Sequence, residues 1–311
     1  MTISPLAAAG AALVLLAPAR AAPCPPEALG VSRTIEIGTA GGLQVGLKTY
    51  PRSLALSDHE VVLTFDDGPA EGTTTAILDA LAKECVKATF FLVGRNAEAL
   101  PSLVKREAAE GHTVAHHTFS HPDATLRGLT ASAAQADILH GMAADDLAAY
   151  NTAKGAPRVP FFRFPGFADT PELVDWLSAH NIAVFGTDLW ASDWSLMTAQ
   201  AQLELVLKRL DKEGRGILLF HDTKQQTAAM VPGLLAGLKA RGYKIVHIVP
   251  GKAPPPLREA PEGWTSETER IIAEVFAKRA KAAKAQAQEG QAPAAPAEGE
   301  GRGGQPRLPK P

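Results

Sequence analysis

Two carboxylates stand side by side at Asp66 and Asp67, in the run Thr64-Phe65-Asp66-Asp67-Gly68-Pro69. Adjacent acids ahead of a Gly-Pro turn suit either catalysis or plain turn and capping chemistry. Farther on comes His117-Thr118-Phe119-Ser120-His121. Two histidines four apart are expected to meet on one side of a helical turn and to chelate one ion. Thr118 and Ser120 can hold that turn through local hydrogen bonds. With one Asp from another strand end they make a two-His, one-carboxylate set with open positions, suited to metal-assisted hydrolysis.

Four more groups invite the same scrutiny. Arg163, in Arg163-Phe164-Pro165-Gly166, can orient a carboxylate by charge-assisted hydrogen bonding or form a structural ion pair. Asp193-Trp194 pairs an acid with an aromatic, which suits a sugar face as well as a core. His221, in Leu219-Phe220-His221-Asp222, is a natural proton donor at a strand end. Asp222 reads as the N-cap of the next helix.

These residues must be brought together by the elements between them. From residue 61 to residue 249, short apolar runs alternate with helical patterns, seven strands in all. The runs begin near Val61, Ala88, Thr113, Phe161, Ile182, Ile217 and Tyr243. They are continuously apolar, as expected of parallel strands covered on both faces. The fold class is therefore α/β, either an open doubly wound sheet or a barrel of about seven parallel strands. No G-x-G-x-x-G turn follows the first strand, which removes support for a dinucleotide fold. Parallel barrels carry chemistry at the C-terminal ends of their strands, and every polar cluster above falls at such an end.

The flanks read differently. Residues 1–21 resemble an export signal: an apolar run followed by Pro18-Ala19-Arg20-Ala21-Ala22, with cleavage near Ala21. The alternative is an alanine-rich disordered leader. The apolar run is too short to span a bilayer stably, so no membrane span is expected once the signal is removed. Residues 22–58 are expected to wrap the main domain at 59–250. Residues 251–311 read as a Pro/Ala/Gly-rich tail, partly helical and then disordered. The net charge of −2 gives no electrostatic reason to expect nucleic acid. No obligate protein partner is evident. Cys24 and Cys85 are the only cysteines, and in an oxidising space such a pair either bridges or stays as two buried thiols.

Taken in order, T-F-D-D-G-P, H-T-F-S-H, R-F-P-G, D-W and L-F-H-D resemble the motif set of the polysaccharide deacetylase family, the NodB-homology domain of carbohydrate esterase family 4, over about residues 59–250. The resemblance implies a distorted (β/α) barrel and a divalent metal, commonly zinc. It implies Asp66 as base and Asp67, His117 and His121 as metal ligands. Arg163 would orient Asp66, and Asp193 would tune His221, the general acid. Trp194 and Leu219 would line the acetyl pocket, and the Gly166 amide would help hold the oxyanion. The substrate implied is an N-acetylated glycan, of chitooligosaccharide or peptidoglycan type, and the location is the periplasm or the cell exterior. Removal of O-acetyl groups from a xylan-type polymer, a small-molecule amidase, and a non-catalytic carbohydrate-binding relative are the competing expectations. His116 stands where the family often has Asn, and Phe164 where it often has Pro. On a strand, His116 should point away from the site.

Overall fold

The computed structural model describes residues 24–274, apart from residue 154, together with residue 277. The export segment and the far tail expected from the sequence lie outside the described residues. Asp66 owes its position to β4 (Glu60–Asp66), a strand buried along its whole length. Side chains alternate along a strand. Val61, Leu63 and Phe65 pack outward with the helices, while Val62 joins the interior cluster with Phe91, Ala115, Phe161 and Phe185. Thr64 and Asp66 share the parity of Val62, so Asp66 emerges from the barrel interior at its C-terminal end.

On one side of β4 the parallel strands β5 (Thr89–Leu92), β6 (Thr113–His116), β7 (Phe161–Phe162) and β8 (Ala183–Phe185) follow in order. On the other side lies β10 (Gly216–His221), which pairs with β4 from Gly216–Val61 to His221–Asp66. β11 (Lys244–Gly251) joins only the start of β4. Closure comes from a bent segment. β9 (Leu189–Trp190) follows β8 along the chain and pairs with β10, so one stretch of chain serves both sides of the gap. The expected α/β architecture, a distorted parallel barrel, is what forms.

The leader adds strands instead of merely draping over the domain. β1 (Arg33–Gly38) pairs parallel with β11, and β2 (Leu43–Val45) pairs parallel with β8. Cys24 is joined to Cys85, with Cα atoms 5.9 Å apart, just beyond the end of α1 (Thr73–Lys83). Residues 251–274 also fold onto the barrel. β12 (Leu257–Glu259) pairs antiparallel with β3 (Arg52–Leu54), and residues 267–274 are helical.

The crossover helices begin where threonine can cap them. Thr130, Thr170 and Thr198 each accept a backbone N–H from the third helical residue of α4 (Ala131–Tyr150), α5 (Pro171–Ala179) and α6 (Ala199–Glu213). Between β5 and β6 the chain forms two helices, α2 (Gly94–Ala99) and α3 (Pro101–Ala109). Pro101 cannot donate into a continuing helix, and its fixed φ suits the first position of a new one. Asp222 does not cap α7 (Gln225–Ala240): Lys224 occupies that position without a side-chain cap.

Candidate active site

Below Asp66 the barrel interior is filled by Arg163, which is fully buried just past the end of β7. Its Nη1 donates to Asp66 Oδ1 at 2.6 Å and to Thr64 Oγ1 at 2.9 Å. Its Nε and Nη2 donate to the carbonyls of Phe185 and Gly186, and the guanidinium lies 4.1 Å from the centre of the Phe91 ring. Four directional bonds leave Arg163 no rotameric freedom and commit Asp66 Oδ1, so Oδ2 is the free oxygen. Burial pushes Asp66 up to about 6, against the pull of Arg163 and His221.

Asp67 turns away from the strand with φ 77, a left-handed conformation that Asp tolerates better than branched residues do. Its main-chain carbonyl accepts from Asn96 Nδ2 at 2.8 Å. Its Oδ1 has no hydrogen-bond donor, yet it lies 3.5 Å from His117 Nε2 and 3.3 Å from His121 Nε2. Burial works to raise Asp67, but the neighbouring His221, His117 and His121 outweigh it and hold the carboxyl below its usual range.

His117 Nδ1 donates to the Arg163 carbonyl at 2.7 Å. That bond fixes the tautomer and turns a bare Nε2 lone pair toward Asp67, the arrangement typical of a metal-ligating imidazole. Burial, helped by His121, lowers His117 to about 3 and keeps it neutral. One ligand atom from each of Asp67, His117 and His121 lies within 4.8 Å of the others. An orphaned carboxylate oxygen facing two imidazole nitrogens fits a divalent cation, and the two-His, one-carboxylate donor set suits zinc.

The histidine pair is not on a helical turn. Residues 117–121 form an irregular loop with left-handed Thr118 and His121. The loop is held from outside by groups the sequence reading passed over. The first amides of α2 donate to it, Gly94 to the Thr118 carbonyl at 2.9 Å and Arg95 to the Phe119 carbonyl at 3.1 Å. From α4, Asp137 accepts the Phe119 and Ser120 amides. A Cβ on Gly141 of α4 would fall onto the Thr118 carbonyl carbon, so the helix backbone itself backs the loop. His116 points outward, as strand parity requires, and its Nδ1 meets buried Asp145 at 2.8 Å.

Across the cavity, His221 ends β10. Its Nδ1 lies 2.8 Å from Asp193 Oδ1, and its backbone amide donates to Asp193 Oδ2 at 2.7 Å. Thr227, on α7, donates its hydroxyl to the same Oδ2 at 2.8 Å, and Gln202 of α6 donates to Thr227. Burial works to lower His221, but the bond to Asp193 and the surrounding carboxylates raise it to about 9. Asp222, the next residue, is buried and accepts from Thr74 Oγ1 at 2.6 Å, while its carboxylate packs against Gly68 of the Asp-Asp turn. Its proximity to that turn in space, and not a periodic pattern, makes it a support.

A cavity of about 310 Å³ opens over these groups. It brings together Asp66, Asp67, His117, His121, His221 and Gly166 with Trp194 and Leu219, whereas Arg163 and Asp193 lie behind its wall. Trp194 is half exposed and stands edge-on to His221, with ring centres 6.2 Å apart. Gly166 borders the cavity from a short turn with φ 60. Phe164, Phe167, Trp190, Lys224, Thr268, Ile271 and Ile272 complete the lining.

Residues 54–185 match the family model described as polysaccharide deacetylase. The chain is 31% identical over 210 residues to a peptidoglycan-N-acetylglucosamine deacetylase of Bacillus cereus, covering 63% of this chain and 72% of that protein. It is 32% identical over 212 residues to a chitooligosaccharide deacetylase of Sinorhizobium fredii, covering 64% of this chain and 94% of that one. Among solved structures, a peptidoglycan deacetylase of Bdellovibrio bacteriovorus superposes with a TM-score of 0.61 at 30% identity, over 70% of this chain and 59% of that one. The Bacillus cereus and Sinorhizobium fredii relatives are both matched above 30% identity and over more than two thirds of their length, and the chain belongs to the polysaccharide deacetylase family.

Proposed function

We propose that this chain is an exported, metal-dependent hydrolase that removes N-acetyl groups from a glycan built on N-acetylglucosamine. The observation that carries the reading is the opposition, across one cavity, of a cation-ready triad and a carboxylate-backed histidine. Asp67, His117 and His121 would hold the cation, with zinc the first choice. When bound, it supplies a Lewis acid for the acetamide carbonyl and makes a water more acidic.

The remaining work falls to side chains. Asp66, its Oδ1 tied to Arg163, offers Oδ2 to a water proton as the water oxygen attacks the acetyl carbon. The Gly166 amide stabilises the oxyanion that develops there. His221, held protonated by Asp193, gives its proton to the departing nitrogen. A C–O bond forms, the C–N bond breaks, and acetate and a free sugar amine result. Trp194 and Leu219 supply the apolar surface for the acetyl methyl and the sugar face. Export is supported by the N-terminal signal-like segment and by the Cys24–Cys85 bridge, which belongs in an oxidising space. Among the described residues no helix is long and apolar enough to cross a membrane.

The test is acetate release, with matching appearance of free amine, from chitin oligomers and from peptidoglycan. Release that is abolished by chelator and restored by zinc is the expected result. No release from any N-acetylated glycan would overturn the reading.

A further inference from the structure

The wall of the cavity formed by residues 267–274 belongs to none of the five motifs. The chain leaves β11, pairs β12 with β3, and returns across the C-terminal end of the barrel. Its course is fixed at several points. Trp264 Nε1 donates to the Leu47 carbonyl at 2.7 Å, and the Thr268 amide donates to the Lys48 carbonyl at 3.0 Å. Two ion pairs hold the helical stretch: Glu267 with Lys48 and Glu269 with Arg127, each at 2.5 Å. Arg127 is itself anchored, its Nε donating to the Asp169 carbonyl at 2.6 Å. The stretch then presents Thr268, Ile271 and Ile272 to the same cavity as the metal triad and His221. Ile272 is only 7% exposed, so it is seated rather than trailing.

With this wall in place the cavity measures about 310 Å³. Ligand pockets run from about 300 to 1,000 Å³, so this one sits at the small end. It suits one acetamido sugar and is tight for a run of linked sugars lying through it. Two of the anchors of this wall are partly exposed ion pairs. Glu267 and Glu269 are about half exposed, and ion pairs of that kind contribute little and weaken with salt. The metal loop opposite is built into the barrel.

We propose that residues 252–274 form a strap that selects substrate by size, with Ile271 and Ile272 as its specificity-determining residues. Seated, the strap favours short glycans and chain ends; displaced, it admits sugars within a long chain. The proposal rests on the N-deacetylase reading above and adds the length of glycan accepted.

Two variants test it in the full chain. Glu267→Gln/Glu269→Gln loosens the anchors, and Ile271→Ala/Ile272→Ala lowers the wall. The quantity measured is the ratio of kcat/KM on a long soluble chitin to that on N,N′-diacetylchitobiose. Both variants are expected to raise the ratio by about tenfold, the scale on which trimming a pocket wall changes discrimination. Raising salt should increase the ratio in the wild type and leave it flat in the Glu267→Gln/Glu269→Gln variant. Tryptophan fluorescence of Asp66→Asn, with and without the strap changes, reports the binding of both glycans without turnover. An unchanged ratio in turnover and binding overturns the proposal, as does an equal fall on both substrates, which would make the strap a mere prop. A wild type that binds glycans with this selectivity but releases no acetate would refute the deacetylase reading and leave the strap intact.

Discussion

The loop at His117–His121 and the end of β10 at His221 use one residue type in opposite ways. His117 gives its Nδ1 proton to a main-chain carbonyl and, buried, stays neutral. His221 gives its Nδ1 proton to a carboxylate that also accepts its own backbone amide and the Thr227 hydroxyl, and that carboxylate, against burial, raises it to about 9. With both rings buried, a neutral carbonyl partner leaves His117 without its second proton, whereas Asp193, kept ionised by three donors, favours the charged form of His221. The identity of the Nδ1 acceptor, more than burial, separates the two regions.

The comparison breaks most visibly when either region loses its working group. Asp66→Asn and His221→Ala are expected to lower kcat by about 10²–10⁴-fold while retaining cation, since neither is a proposed ligand. Steady-state rates paired with elemental analysis check this. Near wild-type turnover in either variant removes that residue's role. The next effect is on the loop's support. Gly141→Val drives a side chain into the Thr118 backbone, and about 1–3 kcal/mol of stability should go, with cation affinity falling alongside. Denaturation and a cation titration measure the two losses. Thr227→Val should act on the acid side alone. It removes one donor from Asp193, and a several-fold fall in kcat with KM and cation content unchanged is expected. A change in cation content instead would mean that the two regions are not separable.

A control outside both regions sharpens the contrast. The bridge closes a loop across 61 positions, for which chain entropy gives an upper figure of about 4 kcal/mol. Cys85→Ser should therefore lower the melting temperature and leave kcat at its wild-type value. Unchanged stability would show that the bridge contributes nothing.

The sequence made the strand ends legible because continuous apolar runs mark parallel strands, and chemistry collects where they stop. Strand parity is enough to send His116 outward. The histidine loop is irregular where the spacing predicts a helical turn. A four-residue spacing fits one helical turn, but nothing local reports that the amides of Gly94 and Arg95, distant in sequence, would hold the loop open. Capping is a local rule and points Asp222 to the helix that follows it, whereas its actual partner, Thr74, is 148 positions away. Thr227 and Gln202 carry no signal at all in a single sequence, being ordinary helical residues until α6 and α7 pack. In sequence, residues 267–274 belong to the Pro/Ala/Gly-rich, partly helical tail. Their two isoleucines are too few to give a periodic stripe, and only the return of the chain over the barrel gives them a surface to meet.

The central claim is that one imidazole region holds a cation and the other does not. Its most direct test is metal stoichiometry after zinc loading and removal of excess, in the wild type and two double variants. The expected values are one ion per chain in the wild type, none in His117→Ala/His121→Ala, and one in Asp193→Asn/His221→Ala. Zinc retained by the first variant, or lost from the second, would contradict the account.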